Sequence, residues 1–347
     1  MHKRTRLLLP VAALSVTALA LTACASPSAS GDAAAADTAE NSTVVVGNAK
    51  PTLMLVEEDG ESSYQEDTDV ARESVEVTAN PASVVTFDIA TLDTLDAIGA
   101  GAAVVGIPDV VLPDYLSEYA DLPKVGTLFE PDFEAVAELE PELIVVAARS
   151  TGQYDELSEI ATTIDLTGAY AGTFDPAAGL ERAAQLGEIF GKEDEVADLT
   201  AGIDELVSTL EAEAEGTALV LSVSGGEYGA FGEGSRFGYF YDELGWTPAV
   251  VAADLPGAEG SSHGDTVTNE FLLTANPDWI FAFDRGAATG EGSSAEETLD
   301  NELVAQTTAA QEDRIVYLPA SELYIVINGL TAIENVLTSV HEAVVAG

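Results

Sequence analysis

Short apolar runs alternate with segments of helical period over most of the chain. Residues 74–78 and 83–87 predict extended pieces, and a helical series of apolar positions follows and is closed by Gly99. Residues 132–139 predict another helix, which leads to the uninterrupted apolar run at 143–147. Such a run is typical of a parallel strand covered on both faces. The alternation predicts an α/β unit.

The middle of the folded part, residues 175–215, has apolar positions at near-helical spacing and no strand signal. It predicts either one long helix bent at Gly191 or Gly202, or two consecutive helices. The strand and helix pattern then restarts, and its predicted elements are a strand at 218–223, a Gly-rich loop at 225–234, helices near 237–244 and at 268–275, strands at 279–283 and 315–318, and a closing helix at 330–345.

The two halves also repeat one local pattern. Residues 140–146 (Glu-Pro-Glu-Leu-Ile-Val-Val) match residues 276–282 (Asn-Pro-Asp-Trp-Ile-Phe-Ala), each after a predicted helix and shortly before an Arg. We therefore expect two Rossmann-like α/β lobes with central, mainly parallel sheets, at 73–174 and 216–347, joined by a long interlobe helix at 175–215.

The N-terminus predicts export and lipid attachment. A basic start and an apolar run at 7–21 form a secretion signal that is too short for a stable membrane span. The sequence Leu-Thr-Ala-Cys at 21–24 resembles the bacterial lipobox, so residues 1–23 are expected to be removed and Cys24 to be acylated. Since Cys24 is the only cysteine, disulfides contribute nothing to the fold.

Residues 24–72 predict an acylated Cys, a flexible tether and an acidic segment. The composition up to about residue 41 is Ala, Ser, Gly, Asp, Thr and Glu without an aromatic residue, which cannot bury enough surface to offset ordering entropy. Residues 52–56 predict a short strand, and residues 57–69 an acidic loop. The expected location is the outer face of the cell membrane.

The charge balance limits the possible partners. The 347 residues carry 61 acidic side chains against 12 Lys and Arg, a formal net charge of −49, and three of the basic residues lie in the predicted leader. Nucleic acid and anionic bilayers would be repelled. The few cations that remain are therefore informative about where an anion could bind.

Three arginines follow predicted strands or open a predicted helix. Arg149 and Arg285 come just after the two repeated strands, and Arg236 lies in the Gly-rich region. Ligands of open α/β sheets bind beyond the carboxyl ends of the strands, and guanidinium groups suit anions. The three could surround a trianion, or each could be an ordinary surface partner for an acid.

Several motifs resemble the iron-siderophore substrate-binding proteins of ABC importers. They are Asn-Pro-Ala-Ser-Val-Val-Thr-Phe-Asp at 80–88, Leu-Asp-Thr-Leu-Asp-Ala-Ile-Gly at 92–99, Gly-Ser-Arg-Phe-Gly-Tyr at 234–239 and Ala-Phe-Asp-Arg at 282–285. The branch for catecholate and mixed citrate-catecholate ligands such as petrobactin is the most similar. The chain departs from it in its acidity.

The resemblance implies two lobes bridged by a helix, the helical-backbone metal and siderophore binding-protein fold, and a cleft in which Arg149, Arg236 and Arg285 face a negative ferric complex. It also implies that His263 and Tyr324 complete the iron's coordination when the siderophore supplies too few donor atoms. Phenolate is a hard ligand for Fe(III), and imidazole is a versatile neighbour. Alternatively, His263 belongs to a surface loop and Tyr324 to a strand end.

The expected function is capture of an anionic ferric siderophore by a monomer without a permanently bound cofactor, and delivery to an ABC permease and ATPase. Cobalamin or haem on the same fold is the alternative ligand. An extracytoplasmic hydrolase is a further alternative, although the chain has no Gly-x-Ser-x-Gly, no His-Glu-x-x-His and no mature cysteine beyond Cys24.

Overall fold

The two repeated apolar segments become central strands of two separate sheets. The computed structural model describes residues 42–48, 53–58, 61–66, 73–167, 172–257, 263–288 and 294–346. The leader, Cys24 and the tether lie outside the described residues. All described residues belong to one compact unit, Asn41–Gly347.

The strands of the described chain are numbered in order. They are β1 Thr43–Asn48, β2 Leu53–Glu58, β3 Glu61–Glu66, β4 Glu73–Thr78, β5 Val84–Thr86, β6 Val104–Gly106, β7 Leu143–Val146, β8 Thr163–Asp165, β9 Thr217–Ser224, β10 Glu227–Phe231, β11 Thr247–Pro248, β12 Asp265–Val267, β13 Trp279–Asp284 and β14 Ile315–Tyr317.

The α-helices of the described chain are numbered in the same way. They are α1 Ile89–Ala97, α2 Phe133–Glu138, α3 Tyr154–Ser158, α4 Pro176–Phe190, α5 Glu193–Glu213, α6 Tyr239–Asp242, α7 Asn269–Ala275, α8 Arg285–Ala288, α9 Ala295–Leu299, α10 Thr308–Gln311 and α11 Leu330–Ala346. None of these helices is long and apolar enough to cross a membrane.

The first sheet has four parallel strands in the order β6-β5-β7-β8. The side chains of β5 and β7 are fully buried, as their continuous apolar runs predict. Chain order reverses beside β5, because β6 lies on one side of it and β7 on the other. The carboxyl ends of β5 and β7 therefore flank a switch point, which is where open α/β sheets bind ligands.

The second sheet has the order β12-β10-β9-β13-β14, with β11 also paired to β9. The pairs of β9 with β13 and of β13 with β14 are parallel, whereas β10 is antiparallel to its neighbours. Aromatic side chains fill the core on one face, where Phe281 stacks on Phe240 and contacts Trp246 and Trp279. The predicted mixed α/β class, with mainly parallel sheets, is confirmed.

Segment 175–215 is two consecutive helices, one of the two arrangements that its pattern allowed. Helix α4 has Asp175 as its N-cap and Pro176 at its first position, and it ends at Gly191 in the left-handed conformation (φ 61°). Helix α5 starts at Glu193, so the long interlobe helix expected from the resemblance is divided at residues 191–192. The division of the chain into lobes at 73–174 and 216–347 stays a prediction.

Two local predictions were wrong, and a third was right only in part. The Gly-rich segment 225–234, predicted as a loop, contains β10, and the helix expected near 237–244 is only the four-residue α6. The acidic segment 57–69, also predicted as a loop, contains β3, which pairs with β2 in a register that brings Glu58 opposite Glu61. The intervening dipeptide is Asp-Gly, a strong hairpin signal.

Candidate functional site

Arg149 lies in a 3-10 turn, Ala148–Gln153, directly after β7. Its Nη2 donates to the carbonyl oxygen of Tyr324 at 2.9 Å, and its Nη1 lies 3.5 Å from the carbonyl oxygen of Ile325. Burial lowers the pKa of the Arg149 guanidinium, whereas the charges of Tyr324 and Asp88 act in the opposite direction. This arginine therefore joins the edge of the first sheet to a segment near the C-terminus.

Tyr324 belongs to a π-helical turn, Glu322–Val326, and its ring lies under a second arginine. The Cζ of Arg236 is 5.4 Å from the centroid of the Tyr324 ring and 5.0 Å from that of Phe237. The Nε of Arg236 donates to the carbonyl oxygen of Gly172 at 2.9 Å. Two guanidinium groups thus contact Tyr324, one through its backbone and one through its ring.

The backbone after this turn is unusual, because Ile327 and Asn328 both have positive φ, 44° and 59°. A β-branched residue in this region is strained. The buried Asn328 side chain donates to the carbonyl oxygen of Thr173 at 2.7 Å and accepts from the backbone N–H of Asp175 at 2.8 Å. Residues 173–175, which follow the Gly172 carbonyl that Arg236 contacts, therefore also hold the chain just after the turn that carries Tyr324.

Arg285 is the first residue after β13, and its Nη2 donates to the Oγ of Ser224 at 3.3 Å. The sheet register explains this contact, since Asp284 pairs with Val223 on the neighbouring parallel strand β9. His263 is exposed overall, yet partial burial of its ring and the positive charges of Arg285 and Arg236 lower its pKa. These surroundings therefore favour the neutral imidazole.

The five side chains singled out in the sequence thus come together. Contacts connect Arg149, Tyr324 and Arg236, and electrostatic interactions connect Arg236, His263 and Arg285. We call Arg149, Arg236 and Arg285 the arginine cluster. Chemically, the group offers three cations and two side chains able to ligate Fe(III). Within the described ranges, no group of three or more His, Cys, Asp or Glu could hold a metal ion.

The sequence reading missed a polar layer next to Arg149. Asp88, the N-cap of α1, accepts from Arg182 Nη1 at 3.1 Å, and the Arg182 side chain is only 9% exposed. Asp165 at the end of β8 accepts from the hydroxyl and the N–H of Thr167. Asp88 ends the motif at 80–88, but its partner Arg182 is 94 positions away, and Asp165 and Thr167 were missed because the three-residue β8 was not predicted.

A cavity of about 760 Å³ lies beside Arg236, and its lining differs in charge from the arginine cluster. Its walls come from α4, α5 and the 234–243 segment, and they include Phe174, Ile203, Asp204 and Glu211. The other four predicted site residues do not line it. Because its charged walls are mainly acidic, the cavity does not suit an anion.

Comparison with known proteins agrees with this architecture. A family model described as periplasmic binding protein matches residues 84–322. The chain belongs to this family. Family members are binding proteins, and the model covers both sheets and four of the five predicted site residues, with Tyr324 lying two residues beyond its end.

Two relatives from this family are the petrobactin-binding protein YclQ of Bacillus subtilis and the ferric-anguibactin-binding protein FatB of Vibrio anguillarum. YclQ is 37% identical over 279 residues, which cover 78% of this chain and 85% of YclQ. FatB is 30% identical over 278 residues, covering 76% of this chain and 83% of FatB. The resemblance seen in the sequence motifs is therefore confirmed.

The crystal structure of YclQ shares the family fold. Its TM-score to this chain is 0.71 at 33% sequence identity, over 88% of this chain and 99% of the YclQ chain. The match extends over nearly the whole of the solved structure.

Proposed function

We propose that this protein captures an anionic ferric siderophore, of the catecholate or mixed citrate-catecholate class, and delivers it to an ABC importer. The observation that carries the proposal is the arginine cluster near the carboxyl ends of β7 and β13, in which Arg149 and Arg236 contact Tyr324. The names of YclQ and FatB, which bind petrobactin and ferric anguibactin, agree with it.

A cluster of cations can attract an anion even in a chain of net charge −49. Salt screens exposed carboxylates beyond about 10 Å at 0.1 M ionic strength. Guanidinium groups in contact with the ligand act at much shorter range, and partial burial strengthens their interaction. The arginines therefore determine the local potential where the ligand binds, while the remote acids contribute solubility.

His263 and Tyr324 extend the proposal to the iron itself. A siderophore with four donor atoms leaves two of six positions on Fe(III) for other ligands. We assign these positions to the imidazole of His263, whose lowered pKa favours the neutral ligating form, and to the phenol oxygen of Tyr324. Iron is here part of the transported ligand, and the proposal includes no permanently bound cofactor.

The cellular setting follows from the N-terminal sequence. The lipobox-like segment 21–24 supports acylation of Cys24 and attachment to the outer face of the cell membrane. The partners in this proposal are an ABC permease and its ATPase, which would receive the ligand from a monomeric binding protein.

The test is calorimetric titration of the mature chain, residues 24–347 without acylation, with ferric petrobactin. Iron-free petrobactin, haem and cobalamin serve as alternative ligands. Calorimetry is preferable to tryptophan fluorescence, because Trp246 and Trp279 are buried against Phe281 and Trp279 is at the opposite end of β13 from Arg285.

We expect Arg236→Ala to weaken the binding of ferric petrobactin on the order of 10- to 100-fold, since a hydrogen bond to a charged group contributes about 1.5–3 kcal/mol. Arg314→Ala is the matched control. Arg314 pairs with Glu312 and lies over Trp279, away from the cluster, so its removal should leave the affinity unchanged. Equal affinity of wild type and Arg236→Ala would refute the role of the arginine cluster in binding. Binding of haem or cobalamin, but not of ferric petrobactin, would refute a siderophore as the ligand.

A further inference from the structure

We propose that Thr167 is a positioning residue for Arg149 and acts on it through the backbone of Ala148. The inference rests on the proposed function, because it assigns Arg149 to the ligand. It adds a residue that does not touch the ligand and on which affinity depends.

The Thr167 hydroxyl connects two buried groups. Its Oγ1 accepts from the backbone N–H of Ala148 at 2.7 Å and donates to Oδ1 of Asp165 at 2.5 Å. The same carboxylate oxygen accepts from the backbone N–H of Thr167 at 2.8 Å. Thr167 is 4% exposed and Asp165 is 1% exposed, so water does not readily replace these bonds. The side chain at position 167 must therefore both donate and accept, which a hydroxyl can do.

The hydrogen bond from the Ala148 N–H to Thr167 fixes the backbone at a residue with an unfavourable conformation. Ala148 has φ 47°, a conformation that L-residues with a Cβ avoid. Such a conformation persists only when its surroundings fix it. Without the Thr167 oxygen, the N–H of Ala148 would lose its partner, and a buried unpaired donor is unfavourable. The turn would then be free to relax toward negative φ.

Any relaxation at Ala148 moves Arg149, which is the next residue. The guanidinium of Arg149 makes its contacts at the end of a long side chain, to the carbonyl oxygens of Tyr324 and Ile325. A small backbone rotation is magnified over that length. The chain of dependence thus runs from Asp165 through Thr167 and Ala148 to Arg149 and to the turn that carries Tyr324.

Three variants of the mature chain test the inference by calorimetric titration with ferric petrobactin. Thr167→Val removes the hydroxyl with little change of shape, and Thr167→Ser keeps it. Thr163→Val is the matched control, because Thr163 is a buried residue of β8, close to Asp165, and its hydroxyl donates to the local carbonyl of Ala161. We expect a loss of about tenfold in affinity for Thr167→Val, and affinities close to wild type for the other two.

A double-mutant cycle separates positioning from general stability. If Thr167 acts through Arg149, then Thr167→Val should cause little further loss of affinity in an Arg149→Ala background. An equal loss in both backgrounds, or wild-type affinity of Thr167→Val, would overturn the inference. Should Thr167→Val not fold, Thr167→Ala takes its place in the cycle.

A ligand-free measurement distinguishes failure of this inference from failure of the proposed function. Hydrogen exchange at the Ala148 amide should be faster in Thr167→Val than in wild type, and unchanged in Thr163→Val. If wild type binds no ferric siderophore, the proposed function fails. The amide exchange and the Thr167–Arg149 coupling in unfolding free energy then still decide whether Thr167 positions Arg149.

Discussion

The buried carboxylate of Asp93 joins two helices that are distant in sequence, α1 and α11. Asp93 on α1 is fully buried and accepts from the Tyr115 hydroxyl at 2.6 Å and from the backbone N–H groups of Thr331 and Ala332 at 2.9 and 3.2 Å. It therefore caps the start of α11 from another helix. Burial raises the pKa of Asp93 to about 7, despite the three hydrogen bonds that lower it.

This pKa gives stability a definite pH dependence. The folded value of about 7 lies above the unfolded value of about 3.9, so the native state holds more protons between them. The stabilisation is complete below about pH 4 and is lost as pH rises through 7, at up to about 1.4 kcal/mol per pH unit. Asp93→Asn should reduce the fall of the unfolding free energy, measured in urea, between pH 5 and 7, while the part due to Asp165, whose pKa burial also raises to about 7, should remain.

The control for this prediction is Asp278→Asn. Hydrogen bonds from Thr217 lower the pKa of Asp278, so its contribution is lost only at acidic pH and the slope between pH 5 and 8 should stay as in wild type. Identical slopes for wild type and Asp93→Asn would show that Asp93 does not titrate in this range.

The sequence predicted the arginines of the cluster, but it did not predict the buried residues, such as Thr167 and Asp93, that hold the surrounding structure in place. Arg149 and Arg285 follow continuous apolar runs, and the rule on strand ends needs only that pattern. The role of Thr167 depends on the positive φ of Ala148, and that of Asp93 on a contact with residues 238 and 239 positions away. Neither the backbone angle nor the long-range contact can be predicted from the neighbouring residues in the sequence.

At the level of elements, the two helices of segment 175–215 contain two glycines with opposite conformational roles. Gly191 ends α4 with φ 61°, whereas Gly202 lies inside α5. Both are exposed, and a Cβ at either position would meet no atom within 4 Å. Only the backbone conformation therefore distinguishes them.

The same substitution should have opposite effects at these positions. Gly191→Ala should destabilise the protein by about 1–2 kcal/mol, because a Cβ is unfavourable in the left-handed region. Gly202→Ala should stabilise it by about 0.5–1 kcal/mol, because Ala loses less conformational entropy within a helix. Denaturant unfolding measures both. A stabilising Gly191→Ala would mean that α4 and α5 are continuous there.

Elements with continuous apolar runs were predictable, and elements held by pairing were not. Strands β7 and β13 have long buried runs and were identified with small errors at their ends. Strand β10 contains Gly229 and follows two glycines, so its composition indicates a loop, yet pairing with β9 and β12 makes it a strand. Tertiary context outweighs local propensity there.

For the whole molecule, the large negative net charge limits how the protein can bind to a membrane. A chain of net charge −49 is repelled by anionic bilayer surfaces, so electrostatic adsorption does not hold it there. In the proposed function, attachment depends instead on acylation of Cys24. We expect Cys24→Ala to move the protein entirely from the membrane to the soluble fraction of the producing cells, as followed by fractionation and immunoblotting. Ser26→Ala, a neighbouring control, should remain with the membrane, and a membrane-bound Cys24→Ala would contradict the anchor.

The bond between Arg149 and Tyr324 also has a consequence for the order of folding. It spans 175 positions of the chain, and the bond from Asn328 to Thr173 spans 155. Because closing long loops costs conformational entropy, we expect these contacts to form late in folding. The turn that carries Tyr324 depends on both of them for its shape. If the proposed function holds, we therefore expect a folding chain to form its sheets before the contacts that shape this site, and to gain affinity for the ligand late in folding.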